Sequence, residues 1–114
     1  MAEGLSIRVD LGGGVRVGPG KIALLEAIAA TGSISAAGRK LRMSYKRAWD
    51  LTEQLNRDFG RKLVAASPGG SGGGGATLTE HGQAVVTQYR AIEQAAATAA
   101  RAAISALDAL AAAR

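Results

Sequence analysis

The sequence predicts a mainly α-helical protein with two small β-hairpins and a long carboxy-terminal helix. Three observations support this fold class. Near the amino terminus, apolar residues first alternate with polar ones and then recur at helical spacing. Clusters of glycine, which permit the chain to reverse, interrupt the pattern twice. The last third of the chain contains no proline and is rich in alanine, the strongest helix former.

The first hairpin is predicted from Leu5 to Val17, where apolar and polar side chains alternate on both sides of Gly12-Gly13-Gly14. Such alternation indicates that one face of the hairpin is buried. Gly18-Pro19-Gly20 ends the second strand. The first helix is then predicted from Lys21 to Ala30, because apolar side chains recur there at helical spacing and Thr31-Gly32 follows.

Two further helices are predicted in close succession. The first is short, begins at Ser33 or Ser35 and ends near Leu41, since a serine side chain can accept a hydrogen bond from an unpaired amide of the first turn. The second begins after Ser44, another capping residue, and ends near Phe59. Two helices joined by so short a turn form a helix-turn-helix.

A second hairpin is predicted from strands at Lys62 to Ala66 and Ala76 to Leu78, which are joined by the glycine-rich stretch Gly69 to Gly75. Thr79 is expected to cap the last helix, which would reach Ala113. The order of hairpin, three helices, two-stranded wing and long helix is that of a winged helix-turn-helix, in which the second helix of the motif enters the major groove of DNA.

The last helix is expected to mediate homodimerisation. It would be roughly 50 Å long at ~1.5 Å per residue, too long for one small domain to cover. Apolar and small side chains alternate spacings of four and three along it, as in a two-helix seam. The predicted seam residues are Val85, Tyr89, Ile92, Ala96, Ala99, Ala103 and Leu107. We therefore divide the chain into a winged domain, residues 1–82, and a dimerisation helix, residues 83–114. An alanine-rich helix that frays at its end is the alternative.

The net charge of +5 is confined to one part of the chain. Residues 39–62 hold eight basic and three acidic side chains, and the remainder holds six of each sign. Because the excess coincides with the helix-turn-helix, contact with DNA is favoured over a merely solubilising surface. Trp49 could instead pack between the second helix of the motif and the wing, and Tyr45 could pack on the first helix with its hydroxyl bonded locally. The predicted DNA-binding residues are Ser35, Arg39, Lys40, Arg42, Ser44, Tyr45, Lys46, Arg47, Trp49, Arg61 and Ser71.

Several classes of site have no support in the sequence. The chain has no cysteine and a single histidine, His81, so disulfides, thiolate zinc sites and cysteine nucleophiles are excluded. The glycine-rich stretch lacks the Lys-Ser/Thr ending of a phosphate-binding loop. We expect neither catalysis nor a cofactor. With no signal peptide and no uninterrupted apolar run of about 18 residues, we also expect a cytoplasmic protein that does not enter a membrane.

Four segments carry a family resemblance: Gly32 to Ala37, Met43 to Asp50, Leu55-Asn56, and the wing Gly69 to Ala76 that continues into Leu78 to Gly82. Over residues 4–92 the chain resembles the amino-terminal DNA-binding domain of ModE-type molybdate-responsive transcriptional regulators. More distantly, it is similar to the LysR-type helix-turn-helix. The resemblance implies a symmetric dimer on a palindromic operator. The residues that it would place in the DNA-facing segment are Ser44, Tyr45, Lys46 and Trp49.

Full-length members of that family continue into oxyanion-binding domains, whereas this sequence stops at Arg114, so no molybdate pocket is expected in it. An oxyanion effector bound at the seam or wing, a separate sensor subunit, or no effector at all are the open alternatives.

The expected function is a sequence-specific, dimeric DNA-binding regulator of transcription that acts on molybdenum- or oxyanion-related or neighbouring genes. Two alternatives remain open. A sequence-tolerant architectural DNA-binding protein would lack the preference of ~10³-fold or more for its own site that a regulator shows. A protein-interaction adaptor that uses the long helix would keep its activity after charge reversal at Lys46 and Arg47.

Overall fold

The computed structural model describes residues 4–67 and 74–113. It confirms the predicted fold class, a mainly α-helical winged helix-turn-helix that is followed by a long helix. The first hairpin precedes three helices, and the two-stranded wing connects the third helix to the last. The elements are β1 Val9–Asp10, β2 Arg16–Val17, α1 Pro19–Thr31, α2 Ile34–Lys40, α3 Tyr45–Asp58, β3 Val64–Ser67, β4 Gly75–Leu78 and α4 Glu80–Ala112.

The first hairpin is shorter than predicted. β1 and β2 pair antiparallel over two residues each, with Val9 opposite Val17, and Gly12–Gly14 form a single 3-10 turn between them. Residues 5–8 keep the predicted alternation of half-buried and exposed side chains. They lie beside α4 instead of a strand, and the carbonyl oxygen of Ile7 accepts a hydrogen bond from the Tyr89 hydroxyl at 2.7 Å.

The core forms around α1. One side of this helix is buried through Ile22, Leu24, Leu25, Ala27 and Ile28, because the helix-turn-helix, the wing and α4 all pack against it. In the wing, β3 and β4 pair antiparallel from Val64 and Leu78 to Ser67 and Gly75. The amide of Ala76 also donates to the carbonyl oxygen of Gly32 at 2.9 Å, which attaches the wing to the end of α1. The largest fully buried side chains are Ile22, Leu24, Leu25, Ile28, Thr52, Leu55 and Leu63.

Serine side chains begin both helices of the helix-turn-helix, as predicted. The Ser33 hydroxyl accepts a hydrogen bond from the amide of Ala36 at 3.0 Å. The Ser44 hydroxyl accepts one from the amide of Arg47 at 3.1 Å. Of the two caps proposed for α2, Ser33 therefore serves and Ser35 does not. Each cap satisfies an amide that lacks a partner within its own helix.

The turn between α2 and α3 is closed by two backbone hydrogen bonds. The amide of Arg42 donates to the carbonyl of Arg39 at 3.1 Å, and the amide of Met43 donates to that of Gly38 at 2.9 Å. This is the Schellman pattern, which requires one residue in the left-handed conformation, and Arg42 takes it with φ 59°. Gly38 permits close packing of the two helices, since a Cβ atom there would lie 3.2 Å from that of Ala48.

α4 begins directly against the base of the wing. The Thr79 hydroxyl accepts a hydrogen bond from the amide of Gly82 at 3.0 Å and donates one to the carbonyl oxygen of Lys62 at 2.7 Å. There is no space for a side chain at Gly82, because a Cβ atom there would overlap the carbonyl oxygen of Leu63. The start of α4 and the start of β3 are thus fixed against each other.

A cluster of charges connects α4 to α1. The Arg90 guanidinium donates to both carboxylate oxygens of Glu26, with an Nε to Oε2 distance of 3.0 Å, and to Oε1 of Glu93 at 2.6 Å. Hydrogen bonds to these two carboxylates raise the pKa of Arg90. Glu93 is buried, and its Oε2 accepts no hydrogen bond within the described ranges.

Tyr89 belongs to the core of its own protomer, in contrast to the seam position predicted for it. It is only 3% exposed and its hydroxyl is bonded to Ile7, so almost no surface remains for a partner helix. Burial also raises the pKa of Tyr89. Val85 is half-buried and packs against the same core. The predicted boundary between residues 82 and 83 therefore falls inside a continuous helix whose first turns complete the winged domain.

In the described part of the chain, α4 alone is long and apolar enough to meet the criteria for a membrane-crossing helix. Its apolar character comes mainly from alanine, and Arg101 and Asp108 lie in its second half. A charged residue at the centre of a membrane-spanning helix costs about 2.5–3.5 kcal/mol on insertion scales. The first half of α4 packs on its own domain.

Candidate nucleic-acid interface

The outward face of α3 is the centre of the candidate interface. Ala48, Thr52 and Leu55 lie buried on the inner side of this helix. At ~100° per residue, the side chains farthest from them are Lys46, Asp50, Glu53 and Arg57. Apart from Glu53, which is half-buried, these residues are exposed. The helix therefore presents a charged face to solvent or to a partner.

All eight basic side chains between residues 39 and 62 are exposed. They lie on the end of α2, the turn, α3 and the residues that lead into the wing. Lys46 is the one among them that forms an ion pair within residues 4–67 and 74–113. The other seven can therefore neutralise external phosphates without breaking an ion pair with another described residue. The set comprises Arg39, Lys40, Arg42, Lys46, Arg47, Arg57, Arg61 and Lys62.

Two of the predicted polar contacts are occupied by local hydrogen bonds. The Ser35 hydroxyl accepts from Nη1 of Arg39 at 2.9 Å, so it orients this arginine on the exposed side of α2. Ser44 accepts from the amide of Arg47 and begins α3. Both serine hydroxyls therefore accept a hydrogen bond within the protein in the absence of DNA. Ser71, also predicted to bind DNA, lies outside the described residues.

The two aromatic side chains of α3 are exposed one helical turn apart. Tyr45 is 57% exposed and Trp49 is 44% exposed. The phenol of Tyr45 forms no hydrogen bond in the part of the chain that the structure describes. Full packing of Trp49 between α3 and the wing, the alternative considered from the sequence, would leave much less of it exposed. Both rings stand beside the basic residues, where an aromatic face can meet a base edge, a methyl group or a sugar.

Asp50 was not predicted as a site residue from the sequence. Its Oδ2 accepts a hydrogen bond from Nζ of Lys46 at 2.9 Å, and the side chains are 52% and 84% exposed, respectively. The two residues border a shallow groove with Ser44, Arg47, Leu51 and Gln54. The spacing of four residues between a base and an acid on the same helix face is the signal that could have found this pair.

Asn56 fixes the wing to the end of α3. Its Oδ1 accepts hydrogen bonds from the amides of Leu63, at 2.8 Å, and Val64, at 3.1 Å. Its Nδ2 donates to the carbonyl oxygen of Val64 at 3.2 Å. One side chain thereby satisfies three backbone groups of the wing, so the geometry of the wing relative to α3 depends on it. Its partners lie seven and eight residues away across a turn, a relation that helical periodicity does not reveal.

A second surface of the domain is apolar. An apolar groove of about 340 Å³ lies between the first hairpin, the end of α3 and α4, and its walls include Leu11, Phe59, Val85 and Ile92. Leu11 and Ile92 are exposed at its edges. Farther along α4, the predicted seam residues Ala99, Ala103 and Leu107 are exposed, and Ala96 is half-buried. The structure brings these residues onto one side of the helix.

Comparison with known proteins assigns the helix-turn-helix to a family. Residues 20–83 match the family described as bacterial regulatory helix-turn-helix protein, lysR family. This match includes α1, both helices of the motif, the wing and the start of α4.

Similar proteins have names that refer to molybdenum. The molybdenum-pterin-binding protein MopB of Rhodobacter capsulatus is 49% identical over 80 residues, which are 70% of this chain and 30% of that protein. The molybdenum transport protein ModE of Azotobacter vinelandii is 40% identical over 89 residues, 78% of this chain and 32% of that protein. The DNA-binding transcriptional dual regulator ModE of Escherichia coli K12 is 42% identical over 76 residues, which are 67% of this chain and 29% of that protein. The chain spans about 30% of the length of these relatives.

Two solved structures share the fold. The crystal structure of the CbnR_DBD-DNA complex has a TM-score of 0.60 and 24% sequence identity, and the match covers 76% of this chain and 94% of that one. Full-length CbnR complexed with its target DNA has a TM-score of 0.55 and 23% identity, over 73% and 27% of the two chains. At this level of identity the likeness concerns the fold.

Proposed function

Because this chain belongs to the lysR family of bacterial regulatory helix-turn-helix proteins, we propose that it binds a specific double-stranded DNA site as a homodimer and regulates transcription. The observation that carries the proposal is the exposure of all eight basic side chains around the helix-turn-helix. Each phosphate that a lysine or arginine neutralises releases condensed counterions, which supplies affinity for any duplex. α3 would then read base edges in the major groove.

The residues divide into two groups by the contact that we propose. Arg39, Lys40 and Arg42, at the end of α2 and the turn, would bind phosphates and hold the domain on the duplex. Arg61, before the wing, would do the same on the other side. The start of α3 would contact base edges and flanking phosphates through Ser44, Tyr45, Lys46, Arg47 and Trp49.

The proposed targets are genes for molybdenum or another oxyanion, or genes beside them. The names of the relatives support this assignment, since they refer to molybdenum-pterin binding, molybdenum transport and transcriptional regulation. The proposed signal is an oxyanion effector or a separate sensor subunit, which would act on the DNA-binding unit from outside it. A protein that acts on the bacterial chromosome would work in the cytoplasm.

Homodimerisation is proposed through the exposed stripe of α4. Ile92, Ala99, Ala103 and Leu107 lie along one side of the helix, and small alanines allow close approach of a second helix. A dimer would present two copies of α3 to the two halves of a palindromic site.

The test is selection from a pool of random duplex DNA, followed by measurement of Kd on the selected duplex and on random duplex. A regulator should bind the selected duplex about 10³-fold or more tightly than the random one. Lys46→Ala should weaken selected binding more than random binding. Arg39→Ala should weaken both and reduce the salt slope by about one.

Other outcomes would contradict the proposal. Equal affinity for selected and random duplex would identify an architectural DNA-binding protein. Absence of DNA binding, with partner binding that survives charge reversal at Lys46 and Arg47, would identify an adaptor. Chromosomal occupancy measured with and without molybdate tests the proposed targets, which should be molybdenum-related genes and their neighbours.

A further inference from the structure

Asp50 is an exposed acidic residue on the outward face of α3, where Lys46 and Arg57 are also exposed and Glu53 is half-buried. It lies on the second turn of α3, on the face opposite the buried Ala48 and Leu55. Its side chain is 52% exposed. A carboxylate in this position is repelled by the phosphates of any duplex that α3 enters, so its effect on DNA affinity requires an explanation.

The stability of the free protein does not supply that explanation. Lys46 and Asp50 form an exposed i,i+4 pair with an Nζ to Oδ2 distance of 2.9 Å. Pairs of this kind contribute little to stability, because water screens the charges and two flexible side chains must be ordered. Little free energy is lost if the pair opens when DNA binds.

The chemistry of the two side chains suggests a role in recognition. An ionised carboxylate only accepts hydrogen bonds, and an ammonium only donates them. In the major groove, cytosine offers a donor through its N4 amino group and adenine through its N6 amino group, whereas guanine O6 and thymine O4 are acceptors. Lys46 and Asp50 place a donor and an acceptor side by side in the groove-facing region of α3.

We propose that Asp50 is a specificity-determining residue, which accepts a hydrogen bond from the exocyclic amino group of cytosine or adenine and weakens binding to duplexes that offer an acceptor there. This proposal rests on the proposed function and extends it to a residue that reduces affinity for incorrect DNA. At a correct site, the amino group compensates the carboxylate for lost hydration. At an incorrect site, the carboxylate meets phosphates and carbonyl oxygens without a donor, so binding weakens.

The experiment compares Asp50→Ala with the matched control Asp108→Ala. Both substitutions replace an exposed aspartate on a helix with alanine and change the net charge by the same amount, but Asp108 lies in the second half of α4. Each protein is used as the full chain to select binders from a pool of random duplexes. Kd is then measured on the duplex that the wild-type protein selects and on random duplex at several salt concentrations.

We expect Asp50→Ala to bind random duplex at least threefold more tightly than Asp108→Ala does, and the selected duplex no more tightly. The ratio of the affinity for the selected duplex to that for random duplex should therefore fall at least threefold. Duplexes selected by Asp50→Ala should lose the preference for an amino-bearing base at one position of each half-site and keep the others. The base enriched by the wild-type protein distinguishes cytosine from adenine.

Two results would overturn the proposal, and they have different meanings. In the first, the wild-type protein prefers its selected duplex, and Asp50→Ala keeps the same ratio of selected to random affinity and every base preference. The role of Asp50 is then refuted and the proposed function stands. If the wild-type protein shows no preference between selected and random duplex, the proposed function fails and the role of Asp50 fails with it.

Discussion

At the turn of the helix-turn-helix, Arg42 occupies a backbone conformation that glycine adopts at lower cost. Its φ of 59° satisfies the Schellman hydrogen bonds, and its side chain points into solvent beside the other basic residues. The left-handed conformation costs an L-residue roughly 1–2 kcal/mol. This cost is consistent with a side chain that is needed for its charge rather than for the fold.

Arg42→Gly separates the two contributions. Relief of the strain, offset by the greater freedom of glycine in the unfolded chain, should leave the free energy of unfolding unchanged or raise it by up to about 1 kcal/mol. Affinity for random duplex should fall, and the salt slope should decrease by about one. Chemical denaturation and salt-dependent anisotropy measure these effects. Arg42→Lys, which keeps charge and strain, is the control, and undiminished DNA affinity of Arg42→Gly would contradict a phosphate contact.

Gly82 provides a second prediction for a single residue. Gly82→Ala should destabilise the domain by more than about 3 kcal/mol or prevent folding, because the added Cβ overlaps the backbone of Leu63, which cannot move without shifting the wing. Gly20→Ala is the matched control in the first turn of α1, where no atom lies within 4 Å of the new Cβ. We expect it to be neutral or stabilising by about 0.5–1 kcal/mol. Thermal denaturation distinguishes them, and similar melting temperatures would be inconsistent with this contact.

At the scale of elements, the Arg90 cluster determines how firmly α4 is attached to α1. Arg90→Met should lower the free energy of unfolding by about 1–3 kcal/mol, since it leaves the buried carboxylate of Glu93 without its hydrogen-bond donor. Partial exposure of Arg90 and Glu26 keeps the effect below that of a fully buried pair. Adding Glu93→Met should recover part of the loss, because the uncompensated charge is then removed. Urea denaturation tests both variants, and strictly additive losses would argue against the coupling.

The elements that the sequence predicts well are those with local signals. Ser33, Ser44 and Thr79 each cap the helix that follows, and each depends on an amide three residues away. The first hairpin was predicted too long because its alternation reflects burial against α4, and Ile7 and Tyr89 are 82 residues apart. A half-buried extended segment shows the same pattern whether its neighbour is a strand or a helix.

The candidate site was predictable from the sequence where it depends on local signals. Helical periodicity identifies which side chains of α3 point outward, and all the predicted basic residues are exposed. Helical periodicity is also the reason that Tyr89 was predicted as a seam residue. Periodicity marks apolar side chains, but it does not distinguish contact with a partner helix from burial in the protomer's own core. Asn56 was not predicted as a positioning residue, because its role depends on where the wing folds back.

At the scale of the whole molecule, the extents are 56 × 29 × 20 Å, so the chain is elongated. The end of α4 contributes to this shape, because every described residue from Ser105 to Ala113 is exposed. A helical end as short as this is marginal in water when nothing packs on it, and pairing with a second copy would bury its apolar side.

Ala103→Glu tests that pairing. The glutamate would place a charge on the exposed stripe, so we expect a dimer of the wild-type chain to become a monomer, or its dissociation constant to rise at least tenfold. Ala109→Glu, six residues later and about 120° around the helix, makes the same chemical change away from the stripe and should leave the dimer intact. Sedimentation velocity over a range of concentrations provides the measurement. Equal dimer contents of the two variants would exclude the stripe as the interface.

The net positive charge of this elongated molecule is concentrated in one part of the chain. Its net charge of +5 lies within residues 39–62, while the remainder is neutral. The excess positive charge therefore lies around the helix-turn-helix, and the field of a polyanion would exert a torque on the chain before any atoms touch. Molecules that approach DNA would rotate so that α3 arrives first. Productive encounters would then be more frequent than random collision allows, and salt that screens the field would slow association as well as weaken binding.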